Sequence, residues 1–149
     1  MRKKTVDQNP SPAAVLRSCL ERFDGQQQKL VRAIRAAVRK RFPAANELAY
    51  DYKSHTVLSY APSDRGIDGI VAIDARADSV RLYVHGGPKL PDPKKLLKGA
   101  GKMAKFVELE SARQLLDPDI AALLDAAEAL APVPLPGGGK GKLILRTMK

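Results

Sequence analysis

The sequence predicts an α+β domain, in which two amino-terminal helices and one carboxy-terminal helix pack on a mainly antiparallel sheet of about five strands. Apolar residues recur at helical spacing before residue 42 and after residue 117, but at every second position between residues 47 and 85. The connections between these period-two segments are too short for crossover helices. Helices and strands are therefore segregated along the chain, and neighbouring strands are expected to run antiparallel.

The first helix is predicted to begin at Ser11, a favoured capping residue, with Pro12 in its first turn. Its apolar face comprises Val15, Leu16, Cys19, Leu20 and Phe23. Cys19 lies on this face, so we expect a buried structural thiol rather than a nucleophile. Residues 1–10, which are polar and basic, predict a disordered arm.

A second helix is predicted over about residues 26–41, before Pro43. Its buried stripe comprises Leu30, Ile34, Ala37 and Val38. Arg32, Arg35 and Arg39 share the opposite face, at spacings i, i+3 and i+7. Such a face is commonly a solvated helix surface, but three aligned arginines could also bind phosphates or an acidic partner.

Four strands are predicted between residues 47 and 85, joined by turn-forming residues. The apolar positions of the four segments are Leu48, Tyr50 and Tyr52; Leu58 and Tyr60; Ile70 to Ile73; and Val80, Leu82 and Val84. In the fourth strand Arg81, Tyr83 and His85 occupy the other face. This clean alternation is typical of a strand with one buried face.

Residues 86–88 end this run and a lysine-rich stretch follows. We predict a short helix over Pro93–Lys98, a fifth strand over 106–109 and a last helix that Asp117 caps, with Pro118 in its first turn. The apolar face of that helix comprises Ile120, Leu123, Leu124, Ala127 and Leu130.

Residues 132–139 are rich in proline and glycine and predict a linker, followed by a basic tail over 140–149. The tail carries one apolar patch, Leu143-Ile144-Leu145, which either adds a strand to the sheet or stays loose. The expected organisation is thus an arm over 1–10, a domain over 11–131 and a linker with tail over 132–149.

The formal net charge of +10 is concentrated at the two ends of the chain. Residues 1–44 carry 11 basic and 3 acidic groups, and residues 132–149 carry 4 basic and none acidic. A basic periphery fits a solvated surface, an anionic lipid surface or weak, sequence-independent nucleic-acid binding through counterion release. The last hypothesis would use residues 1–4 together with Arg32, Arg35, Arg39, Lys140 and Lys142.

No catalytic motif is present, so we expect a non-enzymatic binding domain without a cofactor. One cysteine and two histidines exclude a disulfide framework and are poor material for zinc. A catalytic alternative would require a pocket in which His85 or His55 has a strongly shifted pKa. The sequence shows no signal peptide or membrane span, and we expect a cytoplasmic location.

A second candidate site lies around the fourth predicted strand, where Arg81, Tyr83 and His85 project from one face. The other members of this candidate set are Lys98, Lys102, Lys105 and Tyr52. Hydroxyls, an imidazole and lysines on one face could hold a small anion or an acidic partner. The alternative is the ordinary polar face of a sheet.

Three segments resemble the YdhG-like family of small bacterial domains (domain of unknown function 1801). They are Ser79 to Tyr83 followed by Gly86-Gly87; Leu97-Lys98-Gly99 with Lys102 and Lys105-Phe106; and Asp119-Ile120 with Leu123 and Ala127. The resemblance covers about residues 12–130 and implies an α+β fold. The sequence departs from the family pattern in two places. Residues 50–55 lack the aromatic-Gly-X-Pro turn, and residues 102–105 read Lys-Met-Ala-Lys where the family has a Ser-Lys-Gly stretch.

The family's function is mostly unassigned, and one branch is described as a frataxin-like iron chaperone. The resemblance therefore implies an iron-binding alternative that would need clustered carboxylates. Available acidic residues are Asp64, Asp68, Asp74, Asp78, Glu108, Glu110, Asp117 and Asp119. Turns and helix caps account for the same residues without a metal, and we assign no metal ligands.

Overall fold

The computed structural model describes residues 10–99 and 104–148 and confirms the α+β class. Over these residues the helices are α1 (Pro12–Leu20), α2 (Gly25–Arg41) and α3 (Pro118–Leu130). The strands are β1 (Asn46–Asp51), β2 (His55–Ala61), β3 (Val71–Arg76), β4 (Val80–His85), β5 (Ala104–Glu108) and β6 (Leu143–Met148). Short 3-10 turns occupy Gly66–Asp68, Gly87–Lys89 and Ala112–Leu116. The sheet therefore has one strand more than predicted.

The strands form one sheet in the order β5-β4-β3-β2-β1-β6. Strands β1 to β5 pair antiparallel with their neighbours, as the short connections predicted. In contrast, β6 pairs parallel to β1, with a register shift between Ala49 and Tyr50. The chain therefore returns to the first edge of the sheet after α3.

Side chains at the helix starts satisfy free backbone donors. The Ser11 hydroxyl accepts a hydrogen bond from the Ala14 N–H at 3.2 Å. The carboxylates of Asp24 and Asp117 accept from the first turns of α2 and α3 at 2.8 Å each. The predicted Ser11 and Asp117 caps are thus confirmed, and Asp24 starts α2 one residue earlier than predicted.

The helices and the inward face of the sheet form one hydrophobic core. Its fully buried large side chains include Leu16, Ile34, Phe42, Leu58, Tyr60, Ile73, Leu82, Leu123 and Leu124. In β4 the predicted alternation is confirmed, because Val80, Leu82 and Val84 are buried and the residues between them are half-buried. Burial of this apolar surface is the main stabilising contribution to such a fold.

Strand β1 directs two carboxylates toward the helices. The alternating apolar residues predicted for this strand, beginning with Leu48, lie on the opposite face. Glu47 and Asp51 pair with core-facing positions of β2. A buried charge is tolerated only when it is paired. Each carboxylate is met by an arginine, since Arg35 pairs with Glu47 and Arg22 pairs with Asp51, both at 2.7 Å.

The helix predicted over Pro93–Lys98 does not form. The Asp92 carboxylate instead accepts hydrogen bonds from the backbone N–H groups of Leu96 and Leu97, at 2.8 and 2.9 Å. Lys95 adopts a left-handed conformation with φ of 54°. A helix requires negative φ at every residue, so this local turn replaces it.

The apolar patch in the tail forms β6, which decides between the two alternatives that the sequence left open. Residues 143–148 therefore belong to the same sheet as the domain over 11–131. The disordered arm predicted over 1–10 lies outside the described residues except for Pro10. Within the described ranges, no helix has the length and apolarity that crossing a bilayer requires.

Candidate functional site

A pocket of about 360 Å³ lies between the carboxyl end of α2 and the start of β6. Its cations come from two distant segments, Arg39 and Lys40 at the end of α2 and Lys140 and Lys142 where the tail enters β6. We call it the basic pocket. The other described residues that line it are mostly apolar, with Glu47 the only carboxylate.

Hydrogen bonds dock the backbone of the tail at Gly141 and Lys142. The Gly141 N–H donates to the Pro43 carbonyl at 2.9 Å. The Lys142 N–H donates to the Asn46 side-chain oxygen at 2.9 Å, and its carbonyl accepts from the Glu47 N–H at 2.8 Å. These bonds fix the backbone of Gly141 and Lys142, and Lys140 is the residue directly before them.

A buried polar network lies beneath the basic pocket. Arg35 donates two hydrogen bonds to the Glu47 carboxylate, at 2.8 and 2.7 Å, and the Tyr60 hydroxyl donates to the same carboxylate. Burial, and then the charge of Glu47, raises the pKa of Tyr60 well above 10.0, so its hydroxyl remains a donor. The Glu47 charge is thus already matched.

None of the four pocket cations forms an ion pair with a residue in the described part of the chain. Arg39, Lys40, Lys140 and Lys142 therefore face the pocket without a neutralising carboxylate, because Glu47 is engaged by Arg35. The electrostatic potential there is positive, and an anion entering the pocket would be attracted from more than one side.

The structure separates the three α2 arginines that were predicted to share one exposed face. Arg32 and Arg39 are exposed, whereas the Arg35 side chain is only 24% exposed and is bound to Glu47. The reason is that Arg35 lies at the border of the helix face that turns toward β1. Arg39 lies with the tail lysines in the basic pocket, and Arg32 lies outside its lining.

Arg81 and Tyr83 lie on the sheet face opposite the helices, beside Phe106 of β5. The Arg81 guanidinium is 4.5 Å from the centre of the Phe106 ring, and a hydrogen bond to Tyr83 raises its pKa. In register, Arg81 lies between Asp74 on β3 and Glu108 on β5. Carboxylates on both sides offset its charge, which disfavours anion binding here.

The remaining members of that candidate set are not brought to Arg81. Lys98 pairs with Phe106 beyond the outer edge of β5, two strand spacings from β4, and Lys105 pairs with a core-facing position of β4. Tyr52 packs against His55 with ring centres 5.1 Å apart, next to β1. Three strand spacings, about 14 Å, separate β1 from β4, and Lys102 lies outside the described residues.

His85 lines a different, mainly apolar pocket at the end of β4. Burial lowers the pKa of its imidazole below the ordinary value. No serine, cysteine or carboxylate is among the described residues that line this pocket. Lys89 is the other described lining residue with a titratable side chain, and apolar walls with few polar groups are typical of binding pockets.

The carboxylates considered for iron have local roles. Asp74 bonds Arg76 at 3.1 Å, Asp119 bonds Lys94 at 3.0 Å, and Asp117 caps α3. Over residues 10–99 and 104–148, no three His, Cys, Asp or Glu side chains are grouped in a way that could hold a metal ion. The iron-binding alternative stays a prediction without a structural observation that favours it.

Cys19 is half-buried beside Asp51. Burial, and then a hydrogen bond to the Asp51 carboxylate, raises the pKa of the thiol from 9.0 to about 11. Because the thiolate is the reactive form, we expect native Cys19 to react with Ellman's reagent about a hundredfold more slowly than an ordinary thiol at the same pH. Stopped-flow rates for native and urea-unfolded protein test this, and equal rates would contradict it.

Reasoning from the sequence missed Lys40 and Glu47 as parts of one site. Lys40 is a cation at the carboxyl end of a helix, where the helix dipole favours positive charge whether or not a ligand binds. The signal for Glu47 was its place in a strand whose inward positions alternate with apolar residues, combined with arginines on the preceding helix. That pattern alone identifies neither Arg35 as the partner of Glu47 nor the pocket above the pair.

Comparison of the chain with protein-family models, curated proteins and solved structures gives no match. The resemblance to the YdhG-like family therefore stays a prediction that rests on the three segments described above.

Proposed function

We propose that this chain is a non-catalytic binding domain that holds a phosphate-type anion in the basic pocket. The observation that carries the proposal is the return of the tail to the sheet. It brings Lys140 and Lys142 beside Arg39 and Lys40, which lie about a hundred residues earlier in the chain. No carboxylate among the described residues neutralises these four groups.

The donor chemistry favours phosphate. Each lysine offers three N–H donors and arginine offers five, and phosphate presents oxygens in every direction. Hydrogen bonds between ionised partners are about twice as strong as neutral ones. A volume of about 360 Å³ is enough for a phosphate or a short phosphorylated ligand.

Helix stabilisation explains only half of the arrangement. Cations at the carboxyl end of α2 are favoured by the helix dipole, which accounts for Arg39 and Lys40. It does not account for Lys140 and Lys142, which dock beside them although like charges repel. A bound anion would offset that repulsion, so the convergence of the two segments supports an anion site.

A nucleic-acid backbone is the second source of the same phosphate chemistry. Arg32 is exposed on α2 seven residues before Arg39, about 10 Å along the helix axis. It would extend the basic pocket into a short basic strip. Binding to such a strip would be independent of sequence and would weaken steeply with salt.

Calorimetric titration of the full chain with pyrophosphate tests the proposal. We expect K140E/K142E to bind at least about tenfold more weakly, because each charge-assisted hydrogen bond contributes about 1.5–3 kcal/mol. The matched control is K29E/K98E, which makes the same charge change at two exposed lysines that line neither this pocket nor the one that contains His85. Equal weakening by both pairs, or no binding by the parent chain, would contradict the proposal.

A labelled single-stranded oligonucleotide, titrated at two salt concentrations, distinguishes the sources. For a nucleic-acid ligand, R32E also weakens binding. K140E/K142E then makes the plot of log affinity against log salt concentration less steep, by the contribution of about two phosphate contacts. For a small anion, pyrophosphate binds and the oligonucleotide does not. The tail lysines are tested by substitution because truncation of the tail would remove β6 and uncover the edge of β1.

A further inference from the structure

A separate pocket of about 330 Å³ lies where β3 begins, β4 ends and α3 ends. We call it the apolar pocket. Its apolar lining includes Ile67, Ile70, Pro88, Ala127, Leu130 and Pro132. Its polar side chains are those of His85 and Lys89. It shares no described lining residue with the basic pocket.

Glycine backbone shapes the apolar pocket. Gly86 has φ of 132°, and a Cβ there would lie 2.8 Å from the side chain of buried Leu90. A Cβ on Gly69 would lie 2.6 Å from the Ser59 hydroxyl oxygen. Glycine is thus required at both positions, and these two residues fix the backbone of two segments that line the apolar pocket.

The polar groups of the apolar pocket are free to bind a ligand. His85 is half-buried, and no group in the described part of the chain is hydrogen-bonded to its imidazole. Its lowered pKa keeps the ring neutral, with one N–H donor and one acceptor nitrogen. Lys89 is exposed and makes no ion pair with the described residues, so it adds an unmatched positive charge.

We propose that the apolar pocket binds a small molecule that has an apolar body and a single carboxylate. The body fills the space between Ile70, Ala127 and Leu130, and the carboxylate accepts a hydrogen bond from His85 and is attracted by Lys89. Charge complementarity selects an acid over a base or a neutral molecule. A pocket with apolar walls and few placed polar groups is typical of small-ligand sites.

The test uses 4-phenylbutyrate and its uncharged analogue 4-phenylbutan-1-ol, each titrated into the full chain and followed by amide NMR shifts. We expect saturable shifts at Gly69, Gly86 and Ala131. We also expect the acid to bind about fivefold more tightly than the alcohol, because an exposed ion pair contributes about 1 kcal/mol and this corresponds to a fivefold ratio of dissociation constants. K89E should abolish this preference, and the matched K98E should keep it.

Three results would overturn the proposal. The first is equal affinity for the acid and the alcohol in the parent chain, and the second is shifts confined to the groove that contains exposed Leu116. The third is loss of the acid's binding in K140E/K142E, which would place it in the basic pocket. If pyrophosphate fails to bind while the acid still shifts Gly69 and Gly86, only the anion proposal fails.

Discussion

Gly141→Ala is expected to release β6 from the sheet and to remove pyrophosphate binding together with it. A Cβ at this position would overlap the backbone carbonyl of Ala45 and lie 2.7 Å from the backbone nitrogen of Asn46. Both neighbours are backbone in the segment that leads into β1, so no side chain can move aside. We expect a loss of at least about 2 kcal/mol in the free energy of unfolding.

Urea denaturation and amide exchange measure the two parts of this expectation. The Glu47 N–H, which bonds the Lys142 carbonyl, should exchange faster in the variant. Gly138→Ala is the matched control, because no heavy atom lies within 4 Å of its added Cβ. The control should stay within about 0.5 kcal/mol of the parent chain. If both variants unfold and bind alike, β6 does not position the tail lysines.

Arg35→Met is expected to have the largest effect of any single arginine substitution on α2. It leaves the Glu47 carboxylate, which is 4% exposed, with Tyr60 as its remaining side-chain partner. Removing one member of a buried ion pair costs about 3–5 kcal/mol. Arg41→Met is the matched control, because Arg41 pairs with Asp125 and Glu128 at the surface and should lose about 1 kcal/mol or less.

A double-substitution cycle separates the charge from the packing. If the loss comes from an unpaired carboxylate, Glu47→Gln added to Arg35→Met should recover more than half of it. The single variant should also bind pyrophosphate more weakly, because Glu47 would then present an unmatched negative charge to the basic pocket. An Arg35→Met loss no larger than that of Arg41→Met would contradict this account.

Arg35 is therefore expected to be a positioning residue that pairs with Glu47, and not a residue that contacts the anion. The sequence grouped it with Arg32 and Arg39 because spacing alone decides which residues share a helix face. In the tertiary structure the border of that face lies against β1, where Arg35 is hydrogen-bonded to Glu47. We therefore expect Arg35 to act on anion binding through Glu47.

Local patterns in the sequence were sufficient for much of the fold. Helix capping by Ser11 and Asp117, the buried face of β4 and the antiparallel meander each depend on residues close together in the chain. Such features are encoded locally, because caps and periodic faces use neighbours within one turn or one strand. The helix predicted over 93–98 failed for an equally local reason, the turn around Asp92.

The basic pocket was decided only by the tertiary structure. Its two halves are about a hundred residues apart, and they meet because β6 finds the free edge of β1 and Gly141 allows a close backbone crossing. The inward carboxylates of β1 likewise depend on arginines from another element. A periodic pattern shows which side of a segment is buried, but it carries no information about which distant segment will cover it. Partner choice is set by packing and charge pairing between elements, and these exist only in the folded chain.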